Sequence, residues 1–142
     1  MITLELHRRW LRVTALIVGG FGPVFFLGTM PETAELPRLA LDLLAWPVDG
    51  AQSYDPPTVR FLSALTGGFL LGWGVLIWAL SGRAFDHAPD AIRRAVLAGL
   101  IAWFCLDSIG SVASGQPSNV GFNVIVLLLT AGPLWFRAQR LD

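Results

Sequence analysis

The chain has 142 residues, of which 54% are hydrophobic and 14% charged, and its formal net charge is zero. With a mean hydropathy of +0.62 this balance excludes an ordinary soluble domain and fits an integral membrane protein. All the basic residues are scattered arginines, so no basic block of the kind that binds nucleic acid is present.

The first ten residues carry His7, Arg8 and Arg9, with Arg12 just beyond, and an apolar run follows over about 11–30. It is long enough to span a bilayer, and Pro31-Glu-Thr-Ala-Glu is a poor cleavage context, so an uncleaved helix is expected rather than a signal peptide. Gly19, Gly20, Gly22 and Pro23 fall mid-span, where a kink or a close helix contact is expected.

Residues 31–58 form the longest polar connection. Within it Leu36, Leu39, Ala40, Leu43 and Leu44 recur at helical spacing, with Glu35, Arg38 and Asp42 on the opposite face. The pattern predicts a short amphipathic helix over 33–45, lying on the membrane surface or capping the helices, with Trp46 at the headgroup level.

A second span is expected over 59–80. It is rich in glycine: Gly68 and Gly72 make a Gly-x-x-x-Gly pair, and Gly67 and Gly74 lie on a neighbouring stripe. Small residues let helices approach closely in lipid. A polar link follows over 81–93, where Asp90 is a candidate cap for the third span, 92–113. The uncharged turn Ser114-Gly-Gln-Pro-Ser118 leads to a fourth span over 119–136, and Arg137 and Arg140 give a basic tail. The reading is a single all-α transmembrane domain over 1–142, an up-down-up-down four-helix bundle with one surface helix in the first outer loop. Most arginines fall on the side of the termini and only Arg38 and Arg60 on the other. The positive-inside rule then predicts that both termini are cytoplasmic.

The stretch Trp103-Phe-Cys-Leu-Asp107-Ser-Ile-Gly-Ser111 sets a carboxylate inside an apolar span. An acid there costs roughly 2.5–3.5 kcal/mol on insertion scales and usually has a partner or a role. Ser111 and Ser114 share its helical face at i+4 and i+7, and Trp103 extends that face inward. Asn119 opens the fourth span, with Asn123 one turn deeper on the same face. Arg60 enters the second span from the same surface. Two readings stand: a structural network in which Asp107 pairs with Arg60 and accepts from Asn123, and a polar-bottomed pocket for a lipid headgroup, quinone or small metabolite, built on Asp107, Arg60, Asn123, Ser111 and Trp103. A lone acid without a chain of partners is a poor proton path. Catalysis would require a second proton-transfer group, for which only Arg60, Tyr54 and Asp55 are at hand.

The other features are blander. Cys105, the single cysteine, excludes an internal disulfide and a cysteine-based zinc site and reads as a small buried hydrophobe. His7 and His87 sit in polar flanks, so bis-histidine haem is not expected, and no metal or other cofactor is called for. Most of the six tryptophans read as interfacial anchors; Trp73 and Trp103 fall deeper, as packing or as cavity walls. The expected partners are the bilayer, a lipid or small apolar ligand, and a second copy or another membrane protein.

The motifs Arg60-Phe…Gly67-Gly…Gly72-Trp-Gly74 and Trp103-Phe-x-x-Asp107-Ser-x-x-Ser111…Gly115…Asn119-Val-x-x-Asn123 resemble those of small four-helix bacterial membrane proteins grouped as DoxX-like. The resemblance covers most of the chain after about residue 58. It implies an inner-membrane four-helix bundle and no settled activity. Some DoxX-like proteins are associated with quinone-linked sulfur oxidation, but a redox cysteine pair is missing here.

Overall fold

The structure is a computed structural model that describes residues 2–138; Arg140 of the basic tail lies outside the described residues. Among the described residues six α-helices follow in chain order: α1 (Leu4–Phe26), α2 (Glu35–Ala45), α3 (Pro57–Leu80), α4 (Arg83–His87), α5 (Pro89–Ala113) and α6 (Ser118–Ala131). Short 3₁₀ turns extend α1 (Leu27–Thr29) and α6 (Gly132–Trp135), and a third (Pro31–Thr33) precedes α2. Four of these segments, Leu4–Thr29, Pro57–Leu80, Pro89–Ala113 and Ser118–Trp135, are long and apolar enough to cross a membrane. The all-helical membrane architecture is therefore as expected, with α2 as the surface helix.

Boundaries differ where caps act. The first span starts at Leu4, well before residue 11, because the Thr3 side chain caps α1 by accepting from the Leu6 N–H at 3.1 Å. Proline at the first helical position starts both α3 and α5. Asp90 is therefore not the cap of α5. It lies in the first turn and pairs with Arg93 at 2.8 Å and Arg94 at 3.5 Å.

α1 is the post against which the others lean. Its closest neighbour is α3, and the two meet at glycines. A Cβ on Gly74 would stand 2.5 Å from the Gly19 Cα, and one on Gly67 would stand 2.7 Å from the Gly22 carbonyl oxygen. Gly68 and Gly72 have nothing within 4 Å and face outward. The packing stripe is thus the seven-residue pair Gly67 and Gly74, and the Gly-x-x-x-Gly pair is left open. On its other side α1 meets α6 and the turn that ends it. Pro133 has no N–H for the Leu129 carbonyl, and the Trp10 indole N–H supplies it at 3.1 Å. The Thr14 hydroxyl donates to the Thr130 carbonyl at 2.6 Å, and Arg93 of α5 donates to the Leu134 carbonyl at 2.8 Å. His7, fully buried rather than in a polar flank, lies 3.1 Å from the Pro133 carbonyl.

These contacts close the end of the molecule that carries the termini. Leu11, Ala15, Ile77, Val96, Leu97, Leu100 and Leu134 form the core there. The link between α3 and α5 is not merely polar, since the Phe85 side chain of α4 is buried in that core and Asp86 pairs with Arg8. Cys105 is exposed, against the expectation of burial, because the far half of α5 leaves the core.

The packing can be tested at its glycines and at its outer ion pair. Gly67→Ala forces α1 and α3 apart and lowers stability by about 1–3 kcal/mol, whereas Gly68→Ala stays within about 0.5 kcal/mol of wild type; thermal unfolding in detergent compares them. The ion pair is sensitive to acid. The Arg8 hydrogen bond holds the Asp86 carboxyl below its ordinary value of 3.8. Its contribution is therefore present above pH 3.8 and fades as pH falls through the lowered value, so the stability gap between wild type and Asp86→Asn narrows on acidification through that range.

Candidate functional site

The turn Ser114–Pro117 is too short to let α5 and α6 diverge, so the two run side by side as antiparallel neighbours. That places the polar face of α5 against the first turns of α6. The Asn123 amide donates to Asp107 Oδ2 at 2.6 Å and to the Ser108 hydroxyl at 3.1 Å. The Asn119 amide donates to the same Oδ2 at 2.9 Å and to the Ser111 hydroxyl at 2.9 Å. Ser111 in turn donates to the Asp107 main-chain carbonyl at 2.7 Å. Both amide hydrogens of each asparagine are thereby spent. A carboxylate only accepts, which sets the orientation of both amides: each turns its N–H₂ toward Asp107. Asp107 Oδ1 has no hydrogen-bond partner among the described residues, and no buried side-chain N or O atom among them is left orphaned. The free oxygen is therefore accessible.

Beside this cluster lies a cavity of about 180 Å³. Its back is Asp107, Asn119 and Asn123. Its walls are apolar and largely aromatic: Phe21 and Phe25 from α1, Trp73 from α3, Trp103 from α5 and Phe122 from α6. Leu44 of α2 closes the end nearest the loop, and Leu100 closes the floor toward the core. The space exists because α5 and α3 make no extended approach to one another. Trp73 of α3 comes close to α5 at Gly99, but beyond that level Ile101, Leu106, Ile109 and Val112 of α5 are exposed.

Of the residues the sequence singled out, Asp107, Asn123, Ser111 and Trp103 come together. Ser111 supports the cluster but does not line the cavity; it borders a shallow outer groove, with Trp103, Asp107 and Ser114, on the opposite side of Asp107. Arg60 does not join them. It makes no hydrogen bond or ion pair among the described residues and does not line the cavity. The reason is helical phase. Arg60 lies on the stripe of Gly67 and Gly74, which faces α1, whereas Thr66 and Trp73 face the cavity, roughly a quarter-turn or more away. Asn119 was placed on the right face but not assigned to the site, and it carries one of the two amides on Asp107.

Tyr54 and Asp55 do not cover the cavity. Tyr54 is buried against Gly28 and Ser63, and burial pushes its phenol above the ordinary value. Asp55 is exposed and accepts from Ser53 at 2.8 Å. Among the described residues no second proton-transfer group thus stands beside Asp107, and no cluster of three or more histidine, cysteine, aspartate or glutamate side chains suited to a metal occurs. What the arrangement can do chemically is hold a small molecule: aromatic walls for an apolar body, and a polar back whose open groups accept.

The loop that roofs the site is organised by a second carboxylate. Asp42 is buried at the inner face of α2, where it accepts from Arg38 at 3.0 Å and from the backbone N–H groups of Gly50 at 3.1 Å and Gln52 at 3.3 Å. Asp42 and, in part, Arg38 of the predicted polar face therefore point into the protein, while Glu35 stays exposed and Leu36, Leu39 and Leu43 point out. Ser118 donates to the Leu44 carbonyl at 2.9 Å and ties the roof to α6.

No family model matches the chain, and no solved structure matches it. Among curated proteins it is similar to one of the subunits of tetrahydromethanopterin S-methyltransferase, from Methanothermobacter thermautotrophicus (strain Delta H) and from Methanothermobacter marburgensis (strain Marburg). Each is 29% identical over 92 residues, which is 61% of this chain and 40% of the relative. The chain thus spans less than half the length of these relatives. With four apolar helices of spanning length, the comparison supports a multi-pass membrane protein similar in part to a subunit of a larger enzyme.

Proposed function

We propose that this chain is a non-catalytic accessory subunit of the bacterial inner membrane, with both termini cytoplasmic, that holds a small ligand with an apolar body in the cavity beside Asp107. Placement among the DoxX-like proteins belongs to the same reading. The observation that carries it is a carboxylate with one oxygen left without a hydrogen bond, Asp107, among the residues that line an aromatic cavity. A purely structural acid would have both oxygens occupied by protein groups, since an unpaired polar group in lipid is costly. Here both asparagines converge on Oδ2 and leave Oδ1 open. The relatives' name as a subunit supports the accessory role, and the open face at Gly68 and Gly72 gives another helix room to approach.

Native mass spectrometry of the full chain from mild detergent tests the reading. Wild type is expected to carry a bound small molecule that Asp107→Asn loses while remaining folded. A bare wild-type chain, with a mutant that merely melts earlier, would leave Asp107 as a structural tie. A companion measurement separates the cluster from Arg60. Asn123→Leu removes one donor from the carboxylate and lowers unfolding stability by about 1–3 kcal/mol, whereas Arg60→Gln changes it by less than about 0.5 kcal/mol.

A further inference from the structure

We propose that the ligand of this cavity is a cationic amphiphile: a protonated primary amine on an apolar chain, with its ammonium at Asp107 Oδ1 and its chain leaving the cavity between α3 and α5 toward the lipid. The inference rests on the ligand-holding reading above and specifies the chemistry that site selects.

Charge is the first ground. Among the described residues Asp107 is the one ionisable side chain lining the cavity, and no arginine or histidine lines it. Arg60, the cation the sequence offered, sits on the α3 stripe of Gly67 and Gly74 and does not line the cavity. An anion in a low-dielectric site gains most from a counter-cation, and the described residues bring none to it.

Hydrogen-bond capacity is the second. The asparagine N–H groups are all engaged by Asp107, Ser108 and Ser111, and the Thr66 hydroxyl is engaged by the Leu62 carbonyl. What stays open at the polar back is Oδ1 and the two amide carbonyl oxygens, all acceptors. Donors remain only on the indoles of Trp73 and Trp103, in the apolar walls. An ammonium has three donors and no acceptor, which matches an acceptor-only back. A carboxylate or phosphate head would face like charge.

The walls are the third. Phe21, Phe25, Trp73, Trp103 and Phe122 surround the space, and aromatic faces attract a cation as well as an alkyl chain. Size then sets the mode of binding. A cavity of about 180 Å³ holds little more than a six-membered ring's worth of atoms, since roughly 150 Å³ takes a benzene. The head and first few carbons fit, and a longer chain must continue into the bilayer. The exposed far half of α5 and its separation from α3 leave that route. An aminolipid headgroup and a free alkylamine share the ammonium, and they differ in the phosphate that the lipid carries two carbons behind it.

Calorimetric titration of the full chain in maltoside micelles decides the matter, with octylammonium, octanol, octanoate, dihexanoyl phosphatidylethanolamine and dihexanoyl phosphatidylglycerol as probes. Octylammonium is expected to bind, with octanol and octanoate at least about ten-fold weaker, the equivalent of one charge-assisted contact. Asp107→Asn should weaken octylammonium by about ten-fold and leave octanol within about three-fold. Trp103→Leu, which leaves the carboxylate and both asparagines in place, should weaken octylammonium about three-fold or more while changing octanol less. Binding of the ethanolamine lipid that depends on Asp107 identifies a lipid source, and binding of octylammonium alone a free amine. Octanoate or the glycerol lipid binding as tightly as octylammonium, or an octylammonium affinity unchanged in Asp107→Asn, overturns the cation assignment while the cavity still binds. Failure of every probe, octanol included, overturns the ligand-holding reading itself.

Discussion

A bilayer offers no hydrogen bond to a stray carbonyl, and the architecture depends on how the broken end of α6 meets that constraint. Gly132 and Pro133 stop the helix inside a span of the chain that is otherwise apolar, and the carbonyls of Leu129, Thr130 and Leu134 lose their helical donors, while the Pro133 carbonyl keeps the Phe136 N–H at 3.2 Å. Side chains of α1 and α5 replace them: Trp10, Thr14 and Arg93 donate, and His7 lies within hydrogen-bond distance. One defect thus pins three helices to one another. The glycine contact of α1 with α3 adds the fourth. In lipid, apolar surface gives little incentive for helices to associate, so these polar and close-packed contacts specify which helix stands beside which.

The same distribution divides the molecule into two halves with different character. Near the termini the helices converge on a packed core. Toward α2 it is α5 that separates from α3, while α5 stays tied to α6 by the hydrogen bonds around Asp107 and α3 stays tied to α1 by the Ser63 hydroxyl, which donates to the Phe25 carbonyl at 2.6 Å. Holding a carboxylate at that depth costs a few kcal/mol. The two amides offset part of this, and both act on the same oxygen. The cavity is what the separation leaves behind, walled by aromatics that would otherwise face lipid.

Spans and surface helix were legible because they are written in hydropathy and period. The bond between Asp107 and Asn123 was legible because a short turn forces adjacency and an i, i+4 spacing puts both asparagines on one face. Arg60 was misplaced for the opposite reason. α3 is apolar all round, so its sequence does not say which stripe meets protein and which meets lipid. The glycine pair that packs, Gly67 and Gly74, and the pair that does not, Gly68 and Gly72, differ only by about a third of a turn. His7 was set in a polar flank and Arg93 in a polar link because their burial follows from a helix end far away in sequence. Cys105 was misjudged because apolar surroundings in a membrane helix do not imply a protein interior.

The inverted setting of α2 links the cavity to the first loop. With Asp42 turned inward and Leu36, Leu39 and Leu43 turned outward, the helix is held from its inner side by a carboxylate and leaves three leucines free of the protein. Leu44 on that helix is the ceiling of the cavity, and Ser118 fastens it to the first turn of α6. The height of the chamber is therefore fixed from two sides, by the contacts of Asp42 within the loop and by the Ser118 hydrogen bond to α6, while the leucines of the outer face take no part in holding it.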